Sequence, residues 1–387
     1  MPIRTLSACT ALFVIAACQS VSLDIPADSE IRAAEDEVVD PNEIVVLMPS
    51  QANAQRLIQK AIPIGYRVKA ENELAGLDLV MLTLSIPAGQ DGGSAIRELE
   101  GLEPGVTAGV NHAYATQAQP LSGSPRSYAS NLLEWNPGEC DALRKIGVLD
   151  TGISSKRNTN LKSRDFSREA GGSETTSHGD AIIDILLSKG LLGNLEVFHA
   201  DIVSQDETLG AVASVDTMML GLNWLISEDV DLVNISLAGP YNKILDRGFQ
   251  NAARRGVVVV AAAGNAGPET PVLYPAAFRS TLAVTAVDSR EEIYKKGTRG
   301  NALDFSAPGV DVFVGDEETG RYVSGTSIAA PFVTLRIAGD GTLTGSNSVG
   351  AVRRQIAQSV KDLGEEGFDQ IYGHGLIRAP ATCRSYQ

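Results

Sequence analysis

Short runs of consecutive apolar residues, separated by stretches with a helical repeat, dominate the second half of the chain. Val257-Val258-Val259-Val260 is the extreme case, and Lys145 to Leu149, Leu195 to Ile202, Leu232 to Leu237 and Leu282 to Val287 follow the same pattern. A strand that is apolar along its whole length has no wet face, so these runs predict an α/β fold with a mostly parallel sheet covered by helices on both faces. Asp180 to Lys189, Val215 to Ser227 and Lys243 to Arg255 carry the helical spacing that supplies the cover. In such sheets ligands gather beyond the carboxyl ends of the strands, so residues that directly follow strands are the ones to examine for chemistry.

Ahead of Cys140 the pattern differs. Glu43 to Met48 is an apolar, β-branched run, Ala52 to Ala61 places Leu57, Ile58 and Ala61 on one helical side, and Leu77 to Ile86 alternates as a strand does. Ser94 to Leu102 reads as a helix, Val106 to Tyr114 as a last strand, and Tyr66 to Lys69 leaves room for one more. That order predicts a separate ferredoxin-like α+β unit over residues 42–117. Pro120, Gly123 and Pro125 among small polar neighbours mark residues 118–136 as a linker, where proteolytic nicking concentrates. Residues 137–387 then form the α/β unit.

At 387 residues the chain exceeds one ordinary domain, which agrees with two units. A net charge of −15 argues against a nucleic-acid partner, which needs a basic stripe. The start, Met1-Pro2-Ile3-Arg4 followed by an apolar run from Leu6 to Ala17, is too short to span a bilayer and reads as a targeting signal. It ends in Ile15-Ala16-Ala17-Cys18, which resembles the lipobox of bacterial lipoproteins, where the cysteine is lipidated; ordinary cleavage nearby is the alternative. On the first reading residues 1–18 are removed or modified, and residues 19–41, rich in Asp, Glu, Ala and Ser, tether the protein to a membrane of the cell envelope. Cys9 is discarded with the signal. Cys140 and Cys383 then meet an oxidising compartment, as a disulfide or as two buried thiols.

Four stretches carry chemistry. Ile146-Gly147-Val148-Leu149-Asp150-Thr151-Gly152 ends a strand on an acid, Ser177-His178-Gly179-Asp180 opens a helix, and Ala262-Ala263-Gly264-Asn265-Ala266-Gly267-Pro268 follows the valine strand. In Val323-Ser324-Gly325-Thr326-Ser327-Ile328-Ala329-Ala330-Pro331 a serine stands at the mouth of a helix, where unpaired N–H groups and the dipole favour negative charge. Alone, each stretch is equally a turn or a cap. Together and in this order they resemble the subtilisin-like serine proteases. The resemblance implies that His178 is the base for Ser327, that Asp150 orients it, and that Asn265 forms an oxyanion hole with the Ser327 N–H. It also implies that Ser236, Leu237, Ala238 and Gly239 pair with extended substrate, and that Gly264 and Leu273 border the primary specificity pocket beside Tyr274-Pro275-Ala276. Residues 42–117 become a propeptide that assists folding and then inhibits, with Asn111 to Ala118 entering the site as product and self-processing in the linker. The expected partners are polypeptide substrates and the chain's own propeptide. No cofactor is required. Calcium binding is common in the family, but no cluster here has metal-ligand spacing.

Some positions depart from the family pattern. Asp180 and Ala181 stand where the family has H-G-T-H, and Asp180 brings a second negative charge towards His178, which raises a histidine's pKa. Ala238 and Leu273 stand where Gly is common, which predicts a shallow pocket and small residues such as Ala115 or Ala118 before the scissile bond. His112, His199 and His374 read as structural. A catalytically silent binding scaffold with the same fold is the competing reading.

Overall fold

The computed structural model describes residues 38–116, 119–120, 127–154, 160–167, 177–187, 190–206, 208–316, 318, 320–343 and 348–384. The signal with Cys18, most of the tether, and Ala118 lie outside the described residues.

The first unit runs β1 (Glu43–Met48), α1 (Gln51–Ala61), β2 (Arg67–Leu74), β3 (Leu79–Ser85), α2 (Gly92–Leu102) and β4 (Thr107–Val110). Its strands form an antiparallel sheet in the order β2-β3-β1-β4. Side-chain caps fix the helix starts: Ser50 Oγ accepts from the Asn53 N–H and Asp91 Oδ1 from the Ser94 N–H. β1 is buried along its whole length because it serves two cores. Ile44, Val46 and Met48 meet Leu57 and Leu99 of the covering helices, while Val45 and Leu47 join the core of the second unit.

The second unit begins with β5 (Ala113–Thr116), β6 (Gln119–Pro120) and α3 (Tyr128–Leu132), then β7 (Ile146–Asp150), β8 (Leu161–Asp165), α4 (Ser177–Leu187) and β9 (Val197–Asp201). Next come β10 (Val203–Asp206), β11 (Gly210–Ser214), α5 (Val215–Ser227), β12 (Leu232–Ile235), β13 (Leu237–Ala238), α6 (Lys243–Arg254) and β14 (Val258–Ala262). β15 (Thr281–Val287), β16 (Phe305–Pro308), β17 (Val312–Val314), β18 (Arg321–Ser324), α7 (Thr326–Ala338) and α8 (Val349–Ala357) complete it. Seven strands form one parallel sheet in the order β16-β15-β14-β12-β7-β9-β8. The valine run explains both layers. Val258 and Val260 pack with Ile182, Phe332 and Val333 of α4 and α7, whereas Val257 and Val259 pack with Met218, Leu222 and Phe249 of α5 and α6.

The small unit rests on α5 and α6 through hydrogen bonds from their side chains to its backbone groups. The Gly76 N–H donates to Asn223 Oδ1 at 2.7 Å, Asn251 Nδ2 donates to the Leu77 carbonyl at 2.8 Å, and Arg247 Nη1 donates to the Gly105 carbonyl at 2.8 Å.

Two elements differ from the expectation. The strand expected over Val106 to Tyr114 breaks at Asn111, whose buried amide accepts from the Val215 N–H at 2.7 Å and donates to Glu43 at 2.8 Å. That side chain fastens the break, so β4 stays with the small sheet while β5 joins β11 and β13. The linker contains α3, anchored by Tyr128, which donates its hydroxyl to the Val310 carbonyl at 2.5 Å; its polar composition hid a helix of five residues. Cys140 and Cys383 form a disulfide across a sequence separation of 243, with Cα atoms 5.4 Å apart. Among the described residues no helix is long and apolar enough to cross a membrane.

Candidate active site

Asp150 is the last residue of β7, and its fully buried carboxylate works through one oxygen. Oδ1 accepts the Thr151 N–H at 2.7 Å and faces His178 Nδ1 at 2.6 Å. An ionised acid accepts, so Nδ1 carries the proton and His178 Nε2 is left with a lone pair. Among the described residues that Nε2 is buried without a hydrogen-bond partner. His178 reaches Asp150 because Gly179 follows it. A Cβ at residue 179 would stand 2.5 Å from the Thr151 carbonyl oxygen, so any side chain would push helix and strand apart. Thr151 Oγ1 accepts the Gly179 N–H at 2.8 Å.

Ser327 is the second residue of α7, which packs against α4. Thr326 links it to Asn265: the Thr326 N–H and Oγ1 donate to Asn265 Oδ1 at 3.1 and 3.0 Å, and Thr326 Oγ1 accepts the Gly264 N–H at 3.1 Å. This anchors the amide carbonyl of Asn265 and turns its Nδ2 group away from Thr326. Pro331 has no N–H to donate to the carbonyl four residues back, that of Ser327. Ser236 Oγ donates to it instead at 3.0 Å, and Asn234 Nδ2 donates to Ser236 Oγ at 3.0 Å. The Ser236 hydroxyl therefore supports the helix start from beneath, while Leu237 and Ala238 present their backbone to the cleft.

A stretch of the chain itself lies in that cleft. β5 is a central strand, with Ala115 opposite Ala238 on β13 and Val212 on β11, and Thr116 opposite Leu237. Beyond residues 117 and 118, β6 pairs Gln119 with Ser324 and Pro120 with Val323 on β18. The chain thus arrives along β13 and departs along the strand that leads into Ser327. Tyr114 points inward, fully buried, and donates its hydroxyl to the Pro240 carbonyl at 2.8 Å. Its ring lies 2.6 Å from where a Cβ at Gly239 would stand. Leu273 packs its side chain over Gly264, and Tyr274 exchanges backbone hydrogen bonds with Gly239.

Asp180 accepts the Ser154 N–H at 2.8 Å and the Ser154 hydroxyl at 2.5 Å, so its carboxylate ties down the loop after β7. Ala181 is buried in the core beneath α4. His112 Nδ1 accepts from Asn242 Nδ2 at 3.0 Å, and His374 lies against the rings of Phe305 and Phe368. His199 is completely buried beside Thr151, and burial holds its pKa below the usual imidazole value. Thr151 and Thr326 bond the candidate catalytic residues and were given no role by the sequence; each directly follows or precedes one of them, which was the available signal. Among the described residues no group of His, Cys, Asp and Glu is arranged to hold a metal ion.

Residues 144–375 match the model of the subtilase family. The chain is 28% identical over 271 residues to the minor extracellular protease Epr of Bacillus subtilis, which covers 65% of this chain and 40% of that protein's length. It is 30% identical over 262 residues to subtilisin DY of Bacillus licheniformis, covering 62% and 90% of the two chains. The crystal structure of fervidolysin from Fervidobacterium pennivorans, a keratinolytic enzyme related to subtilisin, superposes with a TM-score of 0.72 at 18% identity, covering 89% of this chain and 61% of that one.

Proposed function

The chain belongs to the subtilase family of serine endopeptidases, and we propose that it hydrolyses polypeptides through Ser327, His178 and Asp150 after processing itself. Ser327 Oγ attacks the scissile carbonyl while His178 Nε2 takes its proton. The imidazolium so formed is stabilised by Asp150, 2.6 Å from Nδ1. The oxyanion is received by Asn265 Nδ2 and the Ser327 N–H, and His178 returns the proton to the leaving amine. Water then releases the acyl group by the same steps.

The observation that carries this reading is the path of β5 and β6 past the start of α7, with β5 paired on both sides and β6 along β18 as an extended peptide substrate would be. It supports residues 42–117 as a propeptide and cleavage at one of the three peptide bonds between Thr116 and Gln119. The description of one relative, Epr, as an extracellular protease and the disulfide both support export; the motif at Cys18 supports a lipid anchor on the cell envelope.

Wild type and Ser327→Ala, purified side by side, test the proposal by mass. The wild type is expected to lose its N-terminal unit, to begin between residues 117 and 119, and to react with a fluorophosphonate at Ser327. Identical intact masses and no labelling would favour a silent scaffold.

A further inference from the structure

His199 lies outside the Asp-His-Ser chemistry, yet it is the buried imidazole nearest to it by bonding. It sits in the middle of β9 with Val148 of β7 and Ser163 of β8 as its neighbours in register, and it has no exposed surface. Its Nε2 faces the Thr151 carbonyl at 2.8 Å and its Nδ1 faces Ser163 Oγ at 2.9 Å. A carbonyl can only accept, so Nε2 carries the proton and Nδ1 accepts the Ser163 hydroxyl. Both nitrogens are satisfied by a neutral ring in a single tautomer.

What that ring holds is Thr151. The Thr151 N–H donates to the oxygen of Asp150 that faces His178, and its Oγ1 accepts the first N–H after His178, that of Gly179. The carbonyl gripped by His199 is also the atom against which Gly179 packs with no room for a Cβ. The carbonyl and the N–H of Thr151 lie on successive peptide planes that meet at its Cα, so a displacement of Thr151 would move the donor on Asp150 and the seat of the histidine helix together. Asp150 from β7 and Asp180 from α4 are the charged groups that face His199, and both favour its protonation; burial opposes them.

Resting on the triad reading above, we propose that His199 is a positioning residue for catalysis, which holds Thr151 in place by its carbonyl and so fixes the Asp150–His178 hydrogen bond that the Thr151 N–H and hydroxyl support. His199→Leu keeps the volume and removes the donor to Thr151. His199→Gln can keep a donor near the Nε2 position. The expected result is a fall in kcat of roughly 10- to 100-fold for His199→Leu at nearly unchanged KM, the scale of a small misplacement of catalytic groups, with His199→Gln recovering most of it. The pKa of the free enzyme read from kcat/KM, and the far-downfield proton resonance of the Asp150–His178 bond, should move in His199→Leu and return in His199→Gln. Ser163→Ala, which leaves the sheet packing intact, is the second variant if His199→Leu does not fold; its expected loss in kcat is several-fold with the same movement of the resonance. Folded variants whose kcat, kinetic pKa and resonance all match the wild type would overturn the proposal. A loss of stability alone, with kcat and the resonance retained, would also overturn it. An inactive wild type that fails to label at Ser327 would instead defeat the protease reading itself.

Discussion

The carbonyl of Ser327 accepts the hydroxyl of Ser236 at 3.0 Å, a bond that exists because Pro331 cannot donate to it. The proline thus couples the helix that carries Ser327 to the strand that leads into Leu237 and Ala238. Ser236→Ala leaves that carbonyl buried without a partner, at a cost of about 1–3 kcal/mol. A lowered midpoint in chemical unfolding, together with a several-fold lower kcat, is expected. An unchanged midpoint would mean that water or another group replaces the hydroxyl.

Asn265 is held by its carbonyl, and its amide nitrogen is the group proposed above to receive the oxyanion. Asn265→Ala should lower kcat by about 100- to 1,000-fold with KM largely kept, the range for removing one such donor from a subtilisin. Thr326→Val removes one of the two bonds that hold the amide and should give a smaller loss of the same kind. A change confined to KM in either variant would argue against the oxyanion assignment.

Tyr114 fills an inward pocket and ends on the Pro240 carbonyl. Peptides copied from residues 112–120 should therefore be cleaved best with tyrosine at the third position. Phenylalanine there loses one hydrogen bond, worth several-fold in kcat/KM, and alanine loses the ring as well, on the order of 100-fold. Equal rates for the three peptides would show that this pocket does not select substrate.

Leu273 packs its side chain over Gly264, and if these two residues border the primary pocket, as the family resemblance implies, that pocket takes small residues before the scissile bond. Leu273→Gly should open that space and shift cleavage of a peptide library towards bulky residues such as Phe. A library profile indifferent to this change would place the pocket elsewhere.

Apolar runs made the large sheet legible, because a strand buried on both faces leaves no other composition, and Val215 to Ser227 was bounded by its periodicity alone. The family was legible as four motifs in order. What the sequence concealed were relations between distant residues. Nothing local announces that Asn111 breaks a strand by bonding Val215, or that Asp180 accepts from Ser154. His199 looked structural because a lone histidine on a strand usually is, and only the register of β7, β9 and β8 brings it to Thr151.

The same histidine should make stability depend on pH in a defined direction. Burial depresses its pKa in the folded protein, whereas in the unfolded chain it titrates near 6.5. A depressed folded value means that the fold prefers the neutral ring. The stability this contributes is fully present above pH ~6.5 and is lost as the pH falls below that value towards the folded pKa, because the unfolded chain then takes up a proton that the native state refuses. His199→Gln has no such proton to bind. Measured from pH 8 to pH 5 in the Ser327→Ala background, where self-digestion is absent, the unfolding free energy of His199 protein should fall towards that of the His199→Gln variant by up to about 1.4 kcal/mol per pH unit. Parallel curves for the two proteins would mean that His199 titrates in the fold as it does in the unfolded chain.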